Sequence, residues 1–134
     1  MGDRCYMCVT CFDEDAHEFQ KLGFLVDDYA DASPAGVVNL YQEEANYAHY
    51  DDMLRLAEEV GLTFLSSHTE GGEYDAHEAA AFNGEHAEVS TTIELGIVIG
   101  CTEHGAVEND YARAMDYFRV RDAARRALGL PKEE

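Results

Sequence analysis

Residues 5–12 alternate strictly. Cys5, Met7, Val9 and Cys11 fall on one side of an extended segment, and Tyr6, Cys8, Thr10 and Phe12 on the other. That period of two predicts a strand, and with few charges on either side its place is the centre of a sheet. Asp13 offers an N-cap, acids fill the next turn, and Gly23 stands where a C′ glycine belongs, which predicts a short helix over 14–22. Segments 24–26, 37–42 and 62–66 read as strands. Ser33-Pro34-Ala35-Gly36 between the first two reads as a turn. Tyr47, Tyr50, Leu54 and Ala57 recur at three- and four-residue spacing, predicting a helix over 47–60 that Gly61 ends.

Asn83-Gly84 lies between two extended runs, the signature of a two-residue type I′ hairpin. Its second arm is expected to run on through the stripe Ile93, Leu95, Ile97 and Ile99. The longest predicted helix covers 107–128. Val107, Tyr111, Ala114, Met115 and Phe118 share one face, and Tyr117, Val120, Ala124 and Leu128 another, so the apolar stripe shifts midway. Either this helix leaves the sheet or its end meets a second copy of the chain, as in a homodimer. Helices and strands without a βαβ rhythm predict one α+β domain over 1–134. Its antiparallel-rich sheet has five or six strands, with three helices on one face, the longest at the C-terminus.

Composition then bounds the function. Val, Ile, Leu, Met and Phe number 32 of 134 residues, enough for one core and against wholesale disorder. No apolar run reaches the 18 or so residues that span a bilayer, and the first residues do not form a signal peptide. The expectation is a cytoplasmic protein without a membrane partner. Asp and Glu number 28 against 9 Lys and Arg, a net charge of −19. Residues 1–112 carry a balance of −21 and residues 113–134 one of +2. Such a body repels nucleic acid and anionic membranes at long range and is steered toward a basic partner.

Candidate chemistry is sparse. Cys5-x-x-Cys8-x-x-Cys11 has the spacing of zinc or iron–sulfur ligands, with Cys101 as a fourth, and would serve a metal or thiol enzyme. The strand reading opposes this, since Cys5 and Cys11 would lie about 20 Å apart with Cys8 on the opposite face. No metal and no cofactor is expected. His17, His49, His68, His77, His86 and His104 often adjoin acids, which is expected by chance when one residue in five is acidic. No HExxH motif, glycine-framed nucleophile or phosphate loop is present, so no catalytic residue is assigned.

Acids interleaved with tyrosines remain. Asp27, Asp28 and Asp31; Glu43, Glu44, Tyr47, Tyr50, Asp51, Asp52, Glu58 and Glu59; and Glu70, Glu73, Asp75 and Glu78 form the expected partner-binding surface. Carboxylates fixed on a fold can present an array comparable to backbone phosphates, and tyrosine adds contact area at low entropy cost. With these runs on a short α+β chain, the sequence resembles, as a class, the small acidic DNA mimics that mobile elements such as phages use against their hosts, including anti-restriction and anti-CRISPR inhibitors. The resemblance implies a non-enzymatic inhibitor occupying the groove of a basic host nucleic-acid-binding protein or nuclease complex. The competing reading is a generic or salt-adapted acidic binding domain, which two lysines in the whole chain would suit. The net-positive last helix and an ordinary complement of cysteine and phenylalanine oppose that reading.

Overall fold

The computed structural model describes residues 4–27, 34–70, 76–91, 97, 101–102, 105–106 and 108–131, with Tyr47 and residues 101–110 in backbone alone. It is an α+β fold. Among these residues six strands form one antiparallel sheet: β1 (Arg4–Phe12), β2 (Leu25–Val26), β3 (Val37–Asn46), β4 (Phe64–His68), β5 (His77–Phe82) and β6 (Glu85–Ser90). Their spatial order is β2-β3-β1-β4-β5-β6. Helix α1 (Ala16–Gln20) lies between β1 and β2, and α2 (Tyr50–Leu54) between β3 and β4. Up to β4 the connectivity is therefore the split βαβ, or ferredoxin-like, unit, with β5 and β6 added at its edge. A two-stranded ladder, β7 (Cys101–Thr102) with β8 (Gly105–Ala106), precedes helix α3 (Glu108–Leu128). No described helix is long and apolar enough to cross a membrane.

The alternation of β1 does what its pattern predicts. Cys5, Met7, Val9 and Cys11 are at most 5 % exposed and pack against Phe19, Phe24, Leu40, Met53, Leu56 and Phe64 beneath α1 and α2. Cys8 points to the other face, so the three thiols do not converge; the side chain of Cys101 lies outside the described residues. Burial pushes the Cys11 thiol up to about 12. The hairpin is also as expected: Asn83 (φ 54°) and Gly84 (φ 84°) both adopt the left-handed conformation that a type I′ turn requires.

Five expectations need correcting. The helices do not share one face: α1 and α2 cover one side, while α3 packs on the opposite side over Ala80, Ala87 and Val89. The reason is the β5–β6 addition, whose alanines face both ways and create a second surface to bury. The predicted 47–60 helix is broken. Strand β3 runs on to Asn46, and Ala48 (φ 53°) and His49 (φ 52°) turn the chain through the left-handed region before α2 begins. A π-helical stretch, Arg55–Glu59, continues it. Met53, Leu56 and Ala57 carry its buried side, and Tyr50 is 51 % exposed. The 14–22 helix is a 3₁₀ turn (Asp13–Asp15) followed by α1, and Asp13 makes no side-chain cap. Strand β4 starts two residues later than predicted. Finally, α3 buries one continuous stripe, Ala114, Tyr117, Val120, Ala124 and Leu128, with Tyr111 and Met115 outward. Of the stripe after β6, Ile97 forms an antiparallel bridge with Thr91, and its other members lie outside the described residues.

Candidate functional site

Antiparallel partners share a face, so the ladder register fixes which side chains stand under α2. Three rows cross β4, β5 and β6: Phe64, Ala81 and His86; Ser66, Ala79 and Glu88; His68, His77 and Ser90. The outer rows carry bulky rings, whereas the middle row has two small side chains beside Glu88. That deficit leaves a cavity of about 30 Å³ between the sheet and α2, closed by Met7, Ala48, Met53 and the half-exposed Tyr50. The left-handed pair Ala48-His49 brings the chain over it. His49 is held by the Gln42 side chain through Nε2, with Asp52 3.9 Å from Nδ1, and its ring lies 5.6 Å from that of Phe24.

Three of the histidines are held toward the neutral form for a common reason. Burial lowers the pKa of His68, His86 and His49. For His86 the charges of Glu88 and Glu58 oppose this, and for His49 that of Asp52 does. The His68 and His77 rings stack at 5.2 Å. His68 Nδ1–H donates to the Thr69 carbonyl at 2.8 Å, and Ser90 Oγ lies 3.2 Å from His77 Nε2. The Tyr50 hydroxyl is pushed above its ordinary pKa, first by the charge of Glu88, then by burial and by Asp51 and Glu58, against Arg113.

The expected contact residues are thus partly united. Tyr50 stands at this cavity, and the charges of Asp51 and Glu58 act on its hydroxyl. Asp52 is in the same turn of α2, and Glu59 ends the π-helical stretch, exposed. Glu43 and Glu44 form a bulge in β3 opposite Tyr6, both exposed, and Glu70 is exposed just beyond β4. Asp27 follows β2; burial first, and the charge of Asp27 in addition, raise the pKa of Tyr6 and Cys8 on the opposite face. Glu78 also lies on that face, accepting a hydrogen bond from the Tyr117 hydroxyl at 3.0 Å. Asp28, Asp31, Glu73 and Asp75 lie outside the described residues, as does the Tyr47 side chain.

The sequence reading misses Glu88, His68, His77 and His86 as one group. The signal was present, because the two-residue turn at Asn83-Gly84 fixes the register that sets Glu88 beside Ala79 and His77 beside Ser90. A second cavity, about 150 Å³, opens beside α3 and is lined by Cys8, Thr10, Ser67, Glu78, Tyr117, Arg121 and Arg125. The chain matches no protein-family model, and comparison with curated proteins and with solved structures gives no significant match.

Proposed function

We propose that the chain is a non-enzymatic acidic inhibitor that acts in the cytoplasm. It would occupy the nucleic-acid-binding groove of a basic host protein or nuclease complex, its carboxylates standing where phosphates would lie. One observation carries the reading: several of the few cations are already paired at the surface, while a larger set of carboxylates is not. Lys21 pairs with Glu18 at 3.0 Å, Arg119 with Glu85 at 2.9 Å and Asp116 at 2.6 Å, and Arg121 with Asp122 at 3.1 Å. Among the described residues Glu43, Glu44, Asp51, Glu58, Glu59 and Glu88 have no such pair. An array of this kind steers a basic groove and gains from the counterions both surfaces release. Tyr50, and the stacked pair Tyr6 and Tyr41 with centroids 6.3 Å apart, supply rigid contact surface near it.

The test is retention from host lysate on the immobilised protein, followed by elution with duplex DNA. A basic nucleic-acid-binding protein should be retained and displaced. Retention of none, or failure of DNA to displace it, overturns the reading. So does unfolding of the chain at low salt, the behaviour of a salt-adapted domain.

A further inference from the structure

The cavity under α2 holds an unanswered charge. Glu88 is half-buried and lines it, yet among the described residues no hydrogen bond or ion pair reaches its carboxylate. A cation seated beside it would give that carboxylate a partner that the fold itself does not supply. The rest of the lining suits one. Ser66 and the imidazoles of His68 and His86 can accept hydrogen bonds, and the Tyr50 ring at the mouth can face a cation. The charges of Asp51 and Glu58 reach the mouth, with Arg113 the opposing one. Among the described residues no three His, Cys, Asp or Glu side chains converge as a metal ion requires. The volume, about 30 Å³, admits a group the size of a water or two, which an ammonium is and a planar guanidinium is not.

We propose that this cavity receives a primary ammonium group, namely a lysine side chain of the basic partner. Glu88 supplies the countercharge, His68 and His86 are neutral acceptors, and Tyr50 is the aromatic wall. The source of the lysine rests on the inhibitor reading; the cavity itself can be tested without any partner. The probe is Nα-acetyl-lysine methyl amide, with the norleucine analogue as neutral control, followed by the imidazole resonances of His68, His77 and His86. The lysine probe should shift them saturably at millimolar concentration and the norleucine probe should not. Glu88→Gln should weaken binding at least tenfold and Tyr50→Ala severalfold. Glu14→Gln, which removes the same charge at the far end of β1, should change nothing. Because burial lowers the pKa of both acceptors, they hold the neutral form at neutral pH and charge only at a lower pH than an ordinary imidazole. Lysine binding should therefore fade with acidification below neutral pH.

No shift in the wild type, or equal binding by Glu88→Gln, overturns the site. A Glu88→Gln protein that loses the lysine probe but retains the host partner undiminished overturns the assignment of the lysine to that partner, and leaves the inhibitor reading standing. A wild type that takes the probe but retains no partner supports the site and overturns the inhibitor reading instead.

Discussion

The two faces of the sheet are held by different means. Under α1 and α2, large rings interlock: Phe19 meets Phe24 edge-on at 6.2 Å and Phe64 at 5.3 Å, all three at most 2 % exposed. Under α3 the fully buried contact is between smaller groups, Ala80 and Ala87 of the sheet and Ala114 of the helix, with Val89, Val120 and one polar ring, Tyr117, flanked by the partly buried Leu65, Phe82, Ile97 and Phe118. Small residues let the helix axis come close, but each buries little apolar area. The aromatic side therefore carries stability in a few residues, and it can leave a polar cavity unfilled at its far end. The α3 side spreads its stability along a stripe and closes it with hydrogen bonds and ion pairs. Phe64→Ala should give the largest loss, about 3–5 kcal/mol, because the ring sits between α1 and the strands with no room to collapse. Urea unfolding would measure it. A loss no larger than that of an alanine-stripe substitution would dissolve the contrast.

Tyr117→Phe probes the other side. Tyr117 is 3 % exposed and its hydroxyl donates to Glu78, which lines the cavity beside α3. Removing the hydroxyl leaves the half-buried carboxylate without that donor, so about 1–2 kcal/mol should be lost. In a cycle with Glu78→Gln, the two losses should couple. Additive losses would mean that the ring alone, through packing, holds α3 down.

Much of this division could be read in the chain, and what could not has physical reasons. Alternation in residues 5–12 and the Asn-Gly turn are local signals, and both placed their strands with the right faces. The break before α2 left no such signal, because Ala48 and His49 adopt positive φ without being glycine. A conformation like that is imposed by the β3 bulge and by the Gln42 contact to His49, which are tertiary. The apolar residues of α3 were all identified, but two faces were inferred where one is buried; Met115 and Tyr111 are apolar by composition and outward by position. As for the acids, their number hid the one that matters most for chemistry. Glu88 differs from its neighbours only in the row it occupies, and a row exists only once β4, β5 and β6 are in register.

Arg119→Gln should have the smallest effect on stability and the most to say about the two faces. Arg119 forks onto both oxygens of Glu85 at 2.9 Å while also reaching Asp116, so it ties α3 to the first residue of β6. Its side chain is 57 % exposed and that of Glu85 52 %, so water and salt screen the pair. A small fall in the urea midpoint is expected at low salt, disappearing in molar salt. A fall that persists in molar salt would mean that the pair positions α3 rather than decorating it. The substitution also makes the net charge one unit more negative than −19. If bulk charge draws cations to this protein, lysine capture should strengthen. If the α2 cavity does so through Glu88, capture should be unchanged, because Glu85 and Glu88 project from opposite faces of β6.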